Sequence, residues 1–157
     1  MADTAPLWTW EALVAAAQGT ADAAPDGAIT GFSIDSRSIA AGEVFVAITD
    51  QRDGHDFVAA SFANGAAAAI VRRDFAAPAG CGPLIRVDDP LRALERIAVA
   101  ARARLRPSAR VVAVTGSAGK TGTKEMLRAC LSVFGPTHAP DKSFNNHWGV
   151  PLTLARM

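Results

Sequence analysis

Apolar positions along the chain fall into two rhythms, short continuous runs and stripes at helical spacing. Their alternation is the mark of an α/β layer structure. Trp10 to Gln18 predicts a short helix, with Thr9 as N-cap and Gly19 as the stop. Ile29 to Ile34 and Val44 to Ile48 predict strands, separated by the turn Ala40-Ala41-Gly42. His55 to Ala63 predicts a helix ended by Asn64-Gly65, and Ala67 to Val71 and Leu84 to Val87 predict two further strands. The polar or Pro/Gly-bearing stretches 21–27 and 76–82 read as loops.

The strongest helical stripe is Leu91, Leu94, Ile97, Ala98, Ala101 and Leu105. Arg92, Glu95, Arg96, Arg102 and Arg104 lie largely off it and read as a solvated face ahead of a binding surface. Arg106-Pro107-Ser108 breaks the pattern and divides the chain into residues 1–107 and 108–157. Beyond the break, RVVAVT (110–115) is a continuous β-branched run suited to a buried parallel strand. Gly116-Ser117-Ala118-Gly119-Lys120-Thr121 follows at once. After it come Met126, Leu127, Cys130, Leu131 and Phe134, which form one apolar helical face. The fold class expected is α/β: a small N-terminal mixed-sheet domain, then the first strand, loop and helix of a P-loop (mononucleotide-binding) domain.

Composition narrows the function classes. Half of the 157 residues are hydrophobic, so a packed core is affordable. Lys plus Arg is 16, Asp plus Glu is 15, and the net charge is +1. That balance gives no support for nucleic-acid binding, although local basic sites for a phosphorylated small molecule remain. No apolar run reaches the ~18 residues of a bilayer span. The N-terminus lacks the basic and apolar regions of a secretory signal. Cys81 and Cys130 lie far apart without metal spacing and read as reduced thiols of a cytoplasmic protein.

Strand, glycine loop and helix are the context that makes a phosphate loop credible. Gly116 and Gly119 let the backbone curl and bring N–H groups close to phosphate oxygens. Ser117, Ala118 and Gly122 complete the cradle. The helix beginning near Lys120 points its positive dipole end at the same place. Lys120 adds a full charge for β- and γ-phosphates, and the Thr121 hydroxyl is placed to ligate Mg²⁺. The ligand expected is therefore ATP with Mg²⁺, with Lys120 and Thr121 carrying the catalytic role. Val114 stands where a general P-loop has its first glycine. A generic glycine-rich strand-to-helix turn is the bland alternative.

TGSAGKTGTKEM (115–126) resembles the ATP loop of the Mur ligases, which build the peptide of bacterial cell-wall precursors. SFNNHWGVPLTLARM (143–157), GFSIDSRSIAAGEVFVAI (31–48) and DGHDF (53–57) resemble further segments of the same family, in its order. They favour the branch that joins D-alanyl-D-alanine to UDP-MurNAc-tripeptide. The resemblance implies ATP-dependent amide formation: a substrate carboxylate becomes an acyl-phosphate, an amine attacks it, and ADP and phosphate leave. It also implies that the first domain holds the UDP end of the sugar nucleotide through Ser33, Asp35, Ser36 and Arg37. Arg37 can pair with a diphosphate. The same residues could equally form only a turn with an Asp cap and a local ion pair. Asp53, Gly54, His55 and Asp56 either line that cleft or cap the following helix, and the cap is favoured. Asn145 and Asn146 are carried over as substrate-side residues near the γ-phosphate, against the alternative of local turn bonds.

The sequence departs from the family in places. Ala118 and Gly122 replace the commoner Asn and Thr, which leaves the cradle intact. His147 stands where an acidic residue commonly follows the Asn pair, and His138 receives no role. A complete Mur ligase has three domains and about three times this length. Residues 1–157 by themselves are therefore expected to ligate nothing. The family is expected to be monomeric, with residues 109–157 either loosely ordered, packed on the first domain, or paired with a second copy. Two alternatives stay open: a non-catalytic UDP-sugar-binding module, and another Mur ligase such as the one adding the third peptide residue.

Overall fold

A computed structural model describes residues 6–140 and 146–157. In chain order it has α1 (Trp10–Ala17), β1 (Thr20–Ala21), β2 (Gly31–Ser33), β3 (Glu43–Val46), a 3₁₀ turn (Gly54–Phe57), α2 (Val58–Ala63), β4 (Ala68–Arg72), β5 (Leu84–Val87), α3 (Pro90–Ala103), α4 (Lys120–Ser132) and α5 (Gly149–Ala155). The strands form one sheet in the order β1-β5-β4-β3-β2. β2, β3, β4 and β5 are parallel neighbours, and β1 joins β5 antiparallel through Thr20 opposite Arg86. The mixed α/β sheet agrees with expectation. β1 lies where a loop was expected, because a two-residue edge strand exists only through its partner and has no pattern of its own.

Alternation along the buried strands divides the core between two faces. Val44, Val46, Ile70, Ile85 and Val87 point to one side, where they meet Leu13, Leu94, Ile97 and Leu152 from α1, α3 and α5. Phe45, Ala47, Ala69, Val71 and Leu84 point to the other and pack with Ile39 and with Val58 of α2. Caps fix the helix starts. The Thr9 hydroxyl accepts from Ala12 N–H, and Gln18 ends α1 in a left-handed conformation. The Asp89 carboxylate accepts from Leu91 and Arg92 N–H, with Pro90 in the first turn of α3.

The segment around the phosphate loop behaves differently. Residues 110–115 form no regular element and belong to no ladder among the described residues, and Val111 and Val112 are exposed. This corrects the expectation of a buried parallel strand. A β-branched run becomes a strand only where a neighbour offers its edge, and all five strands here pair with one another. The apolar face of α4 is likewise uncovered: α4 buries no residue, and Met126 and Phe134 are 64% and 87% exposed. α5, by contrast, returns to the first body. Leu152 and Ala155 are buried against its core, and Trp8 Nε1 donates to Ala155 O at 3.2 Å. Arg104 also leaves the purely solvated role expected of it. It stacks over the Trp8 ring at 3.6 Å and donates to Leu7 O and Met157 O.

Leu152→Ala is expected to cost about 3 kcal/mol in urea unfolding, the usual penalty for emptying a buried leucine site. A cost near zero would show that α5 does not complete this core. In hydrogen exchange of the dilute protein, α3 and α5 amides are expected to be protected and α4 amides to exchange fast. Strong protection throughout α4 would contradict its uncovered face.

Candidate functional site

The phosphate loop is built by two glycines in conformations that other residues rarely adopt. Gly116 has φ 145° and Gly119 φ 77°, and Gly119 is the N-cap of α4 without any side-chain cap. The first-turn amides of α4 lack intrahelical acceptors and carry the positive end of the helix dipole. Lys120 opens the helix, and its Nζ donates to Gly116 O at 2.5 Å, folding the ammonium back across the loop. Thr121 is exposed in the first turn, and the space around the Cα of Gly119 and Gly122 is open. Backbone amides, one ammonium and one hydroxyl form a donor set that fits a polyphosphate. Among the described residues no group of three or more His, Cys, Asp or Glu could hold a metal. Thr121 therefore offers one oxygen, which fits a Mg²⁺ ion bound mainly through phosphates and water.

The second predicted segment follows β2. The Ser33 hydroxyl accepts from Asp35 N–H at 3.2 Å and donates to Asp35 O at 3.1 Å. The Asp35 carboxylate accepts from Arg37 N–H at 3.0 Å and from its guanidinium at 2.9 and 2.8 Å. Asn64 Nδ2 donates to Ser36 O at 2.9 Å, and Ser36 is buried. The turn and local ion pair weighed from the sequence are thus present. The side chain of Arg37 nevertheless stays 86% exposed, with its pKa raised by the hydrogen bond to Asp35. This segment sits on the sheet, while the phosphate loop sits on the unpacked α4.

Asn145 lies outside the described residues. Asn146 is exposed, and its Oδ1 accepts from Gly149 N–H at 2.9 Å, so in this structure it caps the start of α5. His147 meets Trp148 edge-on at 4.3 Å. Three side chains that received no positional role from the sequence prove to be structural ties. Lys124 Nζ donates to Pro140 O at 2.5 Å, His138 Nε2 donates to Thr153 O at 2.9 Å, and Arg156 reaches Phe32 O. Lys124 lies inside the recognised motif, whereas the other two partners are distant in sequence and left no signal.

Asp53-Gly54-His55-Asp56 act as a cap, as favoured. Asp53 is the N-cap of the 3₁₀ turn and accepts from His55 N–H at 3.0 Å and Thr49 Oγ1 at 2.9 Å. His55 is buried, with Nδ1 2.6 Å from the Asp53 carboxylate. Its Nε2 accepts from Arg72 N–H at 2.9 Å. That acceptance leaves the proton on Nδ1, and the imidazole ties the turn to the end of β4. Hydrogen bonds from the His55 amide, then from the His55 ring and Thr49, hold the Asp53 carboxyl well below the usual range.

Residues 114–157 match the Mur ligase middle domain. The chain is 39% identical over 130 residues to the UDP-N-acetylmuramoyl-tripeptide–D-alanyl-D-alanine ligase of Bacillus subtilis, covering 82% of this chain and 28% of that one. It is 40% identical over 124 residues to the ligase of the same name from Escherichia coli, covering 78% of this chain and 26% of that one. Among solved structures, MurF from Acinetobacter baumannii superposes with TM-score 0.79 at 37% identity, covering 96% of this chain and 33% of that one. MurF from Thermotoga maritima in complex with ADP superposes with TM-score 0.61 at 32% identity, covering 81% and 29%. The chain thus spans little more than a quarter of the curated relatives it matches.

Asp53→Asn is expected to lower the thermal midpoint at neutral pH. The folded-state pKa of Asp53 is depressed, so its contribution is present above the unfolded value of about 3.9 and is lost as pH falls towards the folded one. The gap between wild type and variant should therefore begin to narrow below about pH 4 and keep narrowing as pH falls further. A gap that stays constant down to pH 2 would refute the assignment.

Proposed function

We propose that this chain, a Mur ligase by sequence and fold, forms the sugar-nucleotide end and the phosphate loop of an ATP-dependent ligase. The proposed reaction joins D-alanyl-D-alanine to UDP-MurNAc-tripeptide in the cytoplasm. The γ-phosphoryl group of ATP passes to the tripeptide carboxylate, the D-alanyl-D-alanine amine attacks the acyl-phosphate, and the amide forms with release of phosphate. Residues 1–107 serve the sugar nucleotide and 108–157 begin the ATP-binding domain.

The observation that carries this reading is the loop 116–121. It is wound through two positive-φ glycines onto a helix start that carries the Lys120 ammonium and the Thr121 hydroxyl, with open space around Gly119 and Gly122. Gly116, Ser117, Ala118, Gly119 and Gly122 supply the cradle in this proposal. Lys120 neutralises the β- and γ-phosphates, and Thr121 ligates Mg²⁺. The bound ion supplies charge compensation as the phosphoryl group transfers. Ser33, Asp35, Ser36 and Arg37 take the UDP end, where an exposed guanidinium held rigid by Asp35 suits a diphosphate. Asn145 and Asn146 are assigned to the acceptor side, near the γ-phosphate, in this proposal. No helix among the described residues is long and apolar enough to cross a membrane.

A second reading, a sugar-nucleotide-binding module without catalysis, is favoured by one observation. The core of the first body is closed on both faces of its sheet, while α4 is uncovered. Calorimetry with ATP·Mg²⁺ and with UDP-MurNAc-tripeptide, each alone, separates the readings. Lys120→Ala is expected to weaken ATP binding about 100-fold while leaving the sugar nucleotide unaffected, because a charged partner of a polyphosphate is removed. Sugar-nucleotide binding with no ATP binding in wild type would favour the module.

A further inference from the structure

The Ser33–Arg37 turn is held from two sides. Asp35 and Asn64 fix it from within the first body. The other contact comes from the far end of the chain. Arg156, the C-cap of α5, sends both Nε and one terminal nitrogen to the carbonyl of Phe32, at 2.9 and 2.5 Å. The same terminal nitrogen lies 3.7 Å from Glu43 Oε1. Glu43 is itself engaged: Oε2 accepts from Ala40 N–H at 2.9 Å, and residue 43 pairs with Gly31 across β2 and β3. Both charged side chains are mostly buried, 29% and 17% exposed. Phe32 is fully buried and immediately precedes Ser33. One guanidinium therefore pins the last buried carbonyl before the turn to a helix whose start is capped by Asn146.

Charged donors on a neutral carbonyl in a half-buried site form one of the stronger classes of hydrogen bond. A lost donor there also leaves Glu43 without this neighbour. Arg104 provides a natural comparison, because it grips the same end of α5 through Met157 O but reaches Leu7 and Trp8 rather than β2.

We infer that Arg156 is a positioning residue for the sugar-nucleotide site, setting the Ser33–Arg37 turn against α5, whose first amide bonds Asn146. The inference rests on the reading of residues 33–37 as the UDP end. It makes α5 the physical link between that turn and Asn146: a shift of the guanidinium moves the strand end on one side and the helix on the other.

The test is calorimetric titration of UDP-MurNAc-tripeptide into wild type, Arg156→Gln, Arg156→Lys and Arg104→Gln, with circular dichroism to follow folding. Arg156→Gln is expected to bind about tenfold more weakly, the equivalent of one charged hydrogen bond. Arg156→Lys, which keeps the charge but not the fork, should fall between it and wild type. Arg104→Gln should lower the melting temperature yet leave affinity within about twofold, because its partners lie away from the turn. Equal losses in Arg104→Gln and Arg156→Gln would reduce Arg156 to a fastener of α5 and overturn the inference. Wild-type affinity in Arg156→Gln would overturn it while sparing the sugar-nucleotide reading. No binding by wild type would remove that reading and the inference with it. If Arg156→Gln fails to fold, Arg156→Lys decides: wild-type affinity in it overturns the inference and weakened binding supports it.

Discussion

A parallel sheet buried on both faces must be covered on both faces, and the arrangement of this protein follows from that demand. β3 and β4 alternate their side chains so evenly that neither face is the polar one. α2 and the 3₁₀ turn cover one side, and α1 and α3 cover most of the other. α5 completes that second side with Leu152 and Ala155. The chain therefore passes out through the phosphate loop and α4 and comes back to its own beginning. Trp8 and Arg156 hold it there with bonds that span most of the sequence, and Arg104 adds a bond to Met157.

The two predicted substrate segments meet different physical conditions as a result. The turn after β2 grows from a buried strand and is satisfied internally, with Asp35 bonding both the backbone and the guanidinium of Arg37. Such a turn is rigid before any ligand arrives, so little ordering entropy remains to be lost on binding. Among the described residues, the predicted phosphate loop is held by its glycines and by Lys120 folding onto Gly116 O. Residue types that carry chemistry elsewhere are structural here. His55 and Asp53 resemble a general-base pair, but both imidazole nitrogens are already engaged, one by Asp53 and the other by the Arg72 amide.

Much of this was legible without coordinates, for a local reason. Helix caps, glycine turns and the two-residue alternation of strands are decided within a few residues. Thr9, Gln18-Gly19, Asn64-Gly65 and the glycine loop accordingly mark ends that the fold keeps. Asp89-Pro90 is a cap of the same kind, which moves the start of α3 one residue ahead of the first leucine of its stripe. The glycine turn onto α4 was legible for the same reason, since a positive-φ turn into a helix start needs glycine at specific positions.

By itself, then, the sequence determined the α/β rhythm, the glycine turn onto α4 and the candidate polar residues. Only the tertiary structure decided which apolar runs find partners. RVVAVT has the composition of a central strand, yet it stays exposed because pairing is a property of two segments and not of one. GVPLTLA is less conspicuous, yet it buries Gly149, Leu152 and Ala155, because α3 and Trp8 present a surface that Leu152 and Ala155 fill. The reach of Arg156 to Phe32 belongs to the same category. A contact across 124 residues leaves no trace in local spacing, and it appears only once the chain has closed on itself.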